Sequence, residues 1–308
     1  MKLRRRTLVG LLATPALAGT PAILLVGAPA GSSGDLWARG VAPFLERHWA
    51  RATISVVNRP GLGGITAARA LAAAAPDGRT LGAVGTPVLL ARAVEQGELP
   101  LLERLNFVAS VAEEPLLLVA PVTAAPQGLE ALRGLPPTAL LGTPPGGTAA
   151  QLIGTTLAEQ LGLAPFAFAN AAAVRLAVQA GHVQAAMLAA PDAMALLREG
   201  KLAVLAVAAD RRSPLLPEIP TLRELGLRLA GRACRGFALP GGTPLSKVYP
   251  LAAALRSVVM DPEFIAQADA FGYRPDFQGP DEWMGQVRAT AIELASRWDS
   301  GPWTRRPG

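Results

Sequence analysis

Gly31-Ser32-Ser33-Gly34-Asp35 follows the apolar run Ala22-Ile23-Leu24-Leu25-Val26, and Gly142-Thr143-Pro144-Pro145-Gly146-Gly147-Thr148 follows a second strand-length run at 138–141. Each turn is rich in glycine and hydroxyls, leaves a strand and opens a helical pattern, which is the βα connection of an α/β fold. A helix start presents backbone N–H groups without intrahelical partners together with the positive end of the macrodipole. Each turn is therefore a cradle for an anion, and two of them facing one cleft would hold a carboxylate without any lysine or arginine.

Around these turns the alternation continues. The unbroken apolar run 22–26 reads as a strand covered on both faces. After it Leu36, Val41, Phe44, Leu45, His48 and Trp49 fall at helical spacing, with Asp35 as the expected N-cap. A strand at 53–57, the turn Asn58-Arg59-Pro60-Gly61-Leu62-Gly63-Gly64, an alanine-rich helix at 65–75 and a strand at 80–84 complete one set of βαβ units. Residues 107–121 hold a further strand at 116–119. The pattern then restarts with the strand at 138–141 and a helix at 149–161, followed by helices at 174–181 and 192–199 and strands at 185–189 and 202–208. A proline-rich loop at 213–221 precedes helices at 245–260, 262–271 and 281–298, which have no sheet of their own. They imply a return to the first domain near residue 232. The expected division is 1–18 as a signal peptide, 19–121 plus 232–308 as the first domain and 122–231 as the second.

The signal peptide rests on Lys2, Arg4, Arg5 and Arg6, the apolar residues 8–17, and the small-x-small site Ala16-Leu17-Ala18. Arg5-Arg6-Thr7-Leu8-Val9 also fits a twin-arginine pattern, so both export routes stay open. Pro15, Gly19 and Pro21 keep the apolar run short of the ~20 residues a membrane span needs. A periplasmic location follows.

Across 308 residues, 51% are hydrophobic and 17% charged, enough apolar material for two cores. The formal charge of +6 is no sign of nucleic acid: without residues 1–18 the 29 basic residues become 25 against 23 acidic ones, and the arginines are scattered. One cysteine, Cys234, and two histidines, His48 and His182, leave little material for a disulfide, a metal site or a catalytic triad. Neither histidine nor the cysteine falls in a candidate loop. No cofactor, no metal and no catalytic residue is expected, and an enzyme on the same two-lobed architecture is the rival reading from another class.

Six segments in order resemble the tripartite tricarboxylate transporter substrate-binding proteins, the Bug family of periplasmic receptors: 28–35, 58–64, 75–81, Gly200-Lys201-Leu202, 212–221 and Pro240-Gly241-Gly242-Thr243-Pro244. The resemblance implies a type II periplasmic-binding-protein-like fold: two doubly wound α/β sheets joined by crossing strands, with a cleft between them. It implies a receptor that captures a small carboxylate (a di- or tricarboxylate, an amino acid or an aromatic acid) and delivers it to membrane permease subunits; a monomer is expected. Presenting ligand occupancy to a membrane kinase is the alternative use. By the same resemblance, Ser32, Ser33, Gly34 and Asp35 match one ligand loop and Thr143, Gly147 and Thr148 the other. Phe168 and Asn170 lie in a third loop, where the family usually has tyrosine, lysine and glycine. The chain departs from the family at Gln184, where aspartate is common, at Asp192, where a small hydroxyl is common, and at Cys234-Arg235, where an aromatic pair usually precedes the glycine.

Two acids have readings of their own. Asp35 is expected to cap its helix rather than touch a carboxylate, which its charge would repel. Asp192, following Pro191 at a helix start, caps that helix in the simpler reading. In the sharper one it meets an ammonium or hydroxyl on the ligand, favouring an amino or hydroxy acid.

Overall fold

The computed structural model describes residues 20–49, 52–123 and 128–304; the expected signal peptide and the tail arginines Arg305 and Arg306 lie outside them. The elements run β1 (Thr20–Val26), α1 (Ser33–His48), β2 (Ala52–Asn58), α2 (Ile65–Ala72), β3 (Thr80–Thr86), α3 (Val88–Glu95), α4 (Leu99–Glu103), β4 (Leu105–Glu114) and β5 (Leu116–Pro121). They continue with α5 (Gly128–Arg133), β6 (Leu140–Thr143), α6 (Ala149–Leu161), β7 (Ala164–Ala167), α7 (Ala171–Gln179), β8 (Ala185–Ala189), α8 (Ala190–Arg198) and β9 (Leu202–Val207). The last are β10 (Ala233–Pro240), α9 (Leu245–Val259), α10 (Pro262–Phe271), β11 (Arg274–Gln278) and α11 (Pro280–Ser300).

Two sheets result, ordered β11-β4-β10-β3-β1-β2 and β7-β6-β8-β5-β9. The pairs β1·β2, β1·β3, β6·β7 and β6·β8 are parallel, as βαβ units require, while β4, β5 and β10 run antiparallel to their neighbours. Both sheets are covered on both faces. Leu24 points into one core cluster and Leu25 into another; Leu116 and Leu118 likewise face the opposite side from Leu117 and Val119. Two buried faces are the reason these strands read as unbroken apolar runs, each buried leucine contributing about 1.5–3 kcal/mol.

Pro115 stands between β4 and β5 and marks where the chain leaves the first sheet for the second. Residues 107–121 thus hold two strands where the sequence shows one. Leu116–Pro121, grouped with the first domain from the sequence, hydrogen-bonds into the second sheet. Proline supplies no N–H to a ladder, so it interrupts one strand pairing and lets another begin. The chain returns ahead of β10, at Ala233.

The lobes also meet on both flanks of these crossings. On one side Arg297 of α11 donates to the Leu152 carbonyl of α6 at 3.1 Å, and Arg92 of α3 donates to the Gly146 carbonyl at 2.7 Å. On the other, Arg198 of α8 donates to the Ala270 carbonyl of α10. Trp303, past the end of α11, donates its indole N–H to Glu95 at 2.6 Å and packs beside Gly146 and Gly147. Trp37 and Trp283 are buried, whereas Trp49 is only partly so.

Candidate ligand-binding cleft

Where the lobes face each other the structure encloses a cavity of about 270 Å³, a size suited to a small molecule. Five helix starts reach it: Ser33 of α1 and Val88 of α3 from one lobe, Ala149 and Ala150 of α6, Ala171 of α7 and Asp192 of α8 from the other. The floor comes from the crossing strands, with Glu114 at the end of β4 and Cys234-Arg235 in β10. Parallel strands bring their helices in at the same sheet edge, so positive helix ends accumulate there.

At the second glycine-rich turn the backbone donors are already sorted. Thr148 is the N-cap of α6: its hydroxyl accepts from Gln151 N–H at 3.2 Å and donates to the Pro145 carbonyl at 2.9 Å. Gln151 in turn accepts from Gly147 N–H at 3.0 Å. As the first two residues of the helix, Ala149 and Ala150 have no intrahelical acceptor, and both line the cavity. Asn170 caps α7 in the same way, its Oδ1 accepting from Ala173 N–H at 2.9 Å, and it also lines the cavity.

Of the residues singled out from the sequence, Ser33, Thr148, Asn170 and Asp192 come together around this cavity. Ser32 is the N-cap of α1 and turns its hydroxyl back to the Pro29 carbonyl at 2.6 Å. Gly34 lines a neighbouring cavity. Gly147, with φ of +76°, faces Ala91 of the opposite lobe, where a β-carbon would come within 2.9 Å. Phe168 stacks edge-on against Phe166 at 4.8 Å, beneath Gly142. Thr143 is fully buried and its hydroxyl has no partner among the described residues.

Asp35 is not the N-cap; Ser32 holds that place, because α1 begins at Ser33. Asp35 lies within the first turn and reaches back, accepting from Gly31 N–H and Asn58 Nδ2 at 2.8 Å and from Arg39 Nε at 3.0 Å. Burial alone would raise its pKa; the Gly31, Asn58 and Arg39 donors outweigh that and hold the carboxylate below its ordinary value. It braces the first glycine-rich loop against 58–64. Asp35→Ala, which strands these donors, is expected to cost about 2–4 kcal/mol in urea denaturation at neutral pH. A lowered pKa means this stabilisation is lost as pH falls, so the penalty should shrink below pH ~4.

Asp192 is likewise no N-cap, since α8 starts at Ala190 with Ala189 as its cap. Its carboxylate accepts no hydrogen bond from any described residue; Arg175 donates instead to its backbone carbonyl at 3.1 Å. Burial, and next Glu114, push its pKa up to about 6 against the opposing pull of Arg235 and Arg175.

Sequence reasoning did not place the charged floor. Arg235 Nε donates to Glu114 Oε1 at 2.7 Å, an ion pair only 21% and 9% exposed. Burial lowers and Glu114 raises the arginine's pKa, with the net shift upwards. Its Nη1 lies 3.2 Å from where a β-carbon on Gly34 would sit, so the glycine in α1 makes room for the guanidinium. The signal was present: an arginine within the apolar strand Ala233-Cys234-Arg235-Gly236-Phe237 has to find a partner indoors.

A second cavity, about 410 Å³, adjoins the cleft through Gly85, Val88 and Arg235, which line both. Its walls include Leu25, Leu71, Val84 and Leu89, and the loop residues Pro60, Gly61, Gly63 and Gly64 close one side.

The chain covers 89% of its length in alignment with Protein BugT of Bordetella pertussis, at 27% identity and 90% coverage of that protein. Among solved structures it is similar to MatC from Rhodopseudomonas palustris with bound malate, at 26% identity and a TM-score of 0.70, covering 93% of this chain and 99% of that one. It shares its fold with another R. palustris protein solved with adipate, at 20% identity and a TM-score of 0.75, covering 91% and 95%. The family of tripartite tricarboxylate transporter receptors, TctC, matches residues 38–285. Spanning both lobes, both crossings and the cleft floor, that match means the chain belongs to the tripartite tricarboxylate transporter receptor family.

Proposed function

We propose that this protein is an exported receptor that binds a small carboxylate in the 270 Å³ cleft, closes around it and presents it to membrane permease subunits. The observation that carries the reading is the convergence of five helix starts on one cavity between two lobes, with the Ala149 and Ala150 N–H groups free of intrahelical acceptors. Donors from both lobes reach one ligand only when the lobes are together, so binding favours that arrangement and creates the surface a permease reads. In this reading the hinge lies at Pro115 and in the segment before β10. Among the described residues no helix is long and apolar enough to cross a membrane, in keeping with a receptor that works beside a permease. Malate in MatC supports the carboxylate class.

The test is thermal unfolding of the purified protein against malate, adipate, amino acids and aromatic carboxylates. A ligand at about a hundred times its dissociation constant adds ~2.7 kcal/mol, which should raise the midpoint by several degrees. A flat response to every carboxylate would count against the reading.

A further inference from the structure

The cleft holds more than an anion cradle. Asp192 lines the cavity with a carboxylate that nothing among the described residues donates to. The Glu114–Arg235 pair beside it is neutral as a unit, so Asp192 is the charge left over. Arg235 spends only Nε on Glu114; its two Nη groups donate to no described residue. One cavity thus presents unspent donors, from Arg235 and the helix starts, and an unspent acceptor. The adjoining 410 Å³ cavity meets it at Arg235, the only charged residue in that second lining among the described residues.

A ligand carrying negative charge alone fits this poorly. One carboxylate would be well held, but a second would stand against Asp192 and Glu114. An ammonium in that place reverses the sign of the interaction.

We propose that the ligand is a zwitterion with an apolar side chain: its carboxylate on the helix starts and the Arg235 Nη groups, its ammonium on Asp192, its side chain in the second cavity. This rests on the carboxylate-receptor reading and narrows it to amino-bearing acids. The groups facing Asp192 are Glu114 from β4, Arg235 from β10, Arg175 from α7 and Tyr273 ahead of β11. With these around it Asp192 titrates near pH 6, whereas a ligand carboxylate stays ionised to about pH 4.

Calorimetric titration of the purified protein at pH 7.5 tests this with matched probes. The probes are leucine and phenylalanine, their deaminated counterparts 4-methylpentanoate and 3-phenylpropanoate, and their decarboxylated counterparts 3-methylbutylamine and 2-phenylethylamine, with malate and adipate alongside. At least one amino acid should bind tenfold or more tightly than either truncated counterpart. Asp192→Asn, a near-isosteric change whose folding is checked by circular dichroism, should pull the amino acid down to the level of its deaminated counterpart. It should also abolish the loss of amino-acid affinity that the wild type shows between pH 7 and pH 5. Deaminated acids, malate or adipate binding as tightly as the amino acids would overturn the zwitterion while leaving the carboxylate receptor standing. Binding by none of the probes would overturn both.

Discussion

Arg235→Ala should destabilise the protein by about 3–5 kcal/mol at neutral pH, more than the loss of packing from one side chain explains. The guanidinium is the counter-charge for Glu114 at 2.7 Å and also draws down the pKa of Asp192. Removing it leaves two carboxylates in one cavity with no cation between them; Arg175 reaches only the Asp192 backbone carbonyl. Protonating either acid relieves the repulsion. The folded state of the variant therefore holds a proton more tightly than the unfolded chain, and such stabilisation is present at low pH and lost as pH rises. The penalty should be largest near pH 8 and much reduced near pH 4. Guanidinium denaturation at several pH values reads this directly. Pairing the change with Glu114→Gln should recover most of the stability, because no ionised partner is then stranded beside the gap. The double variant should still bind carboxylates poorly, which separates the arginine's structural role from its part in the cleft. A penalty independent of pH would mean that packing, not charge, sets the cost.

That pair also shows where the sequence stopped being readable. The two α/β sheets and both glycine-rich turns were legible because they depend on local chemistry: apolar runs for strands covered on both faces, glycine and hydroxyls for helix starts. The edge strands β7 and β11 were not, since Ala164–Ala167 is mostly exposed and Arg274–Gln278 carries arginine, proline and aspartate, so neither has an apolar period to detect. In the cleft, Thr148 and Asn170, which the resemblance gave as ligand-loop residues, are helix caps that line the cavity. Thr143 and Phe168 are adjacent in sequence to that space and yet turn into their own lobe. Asp35 and Asp192 show the same limit: each was placed at a helix start, but among the described residues one carboxylate is occupied by three donors and the other by none. Glu114 and Arg235 are 121 positions apart, and only the antiparallel pairing of β4 with β10 brings them together.

Gly236→Ala should be the most damaging single methyl in the chain's middle, costing about 3–5 kcal/mol and lowering the melting midpoint by ten degrees or so. Gly236 sits in β10 directly after Arg235, where the pairing with β4 slips by one residue. A β-carbon there would fall well inside van der Waals contact distance of the Ala109 carbonyl oxygen, 2.5 Å from Trp283 Cη2 and 2.8 Å from Ser110 Cα. Two of those neighbours are backbone in a paired strand, and Trp283 is itself fully buried against Phe107 at 5.3 Å, so no flexible end can swing aside. The strand has to move. Because Arg235 is the preceding residue, its guanidinium moves with the strand, and the expected result joins a stability loss to a loss of ligand binding at a residue that lines neither cavity. Gly285→Ala provides the comparison of opposite sign. That glycine lies within α11 with open space where its β-carbon would be, so alanine should stabilise by about 0.5–1 kcal/mol and leave binding alone. If both variants melted together, close packing of β10 against β4 would not be what holds the cleft floor in register.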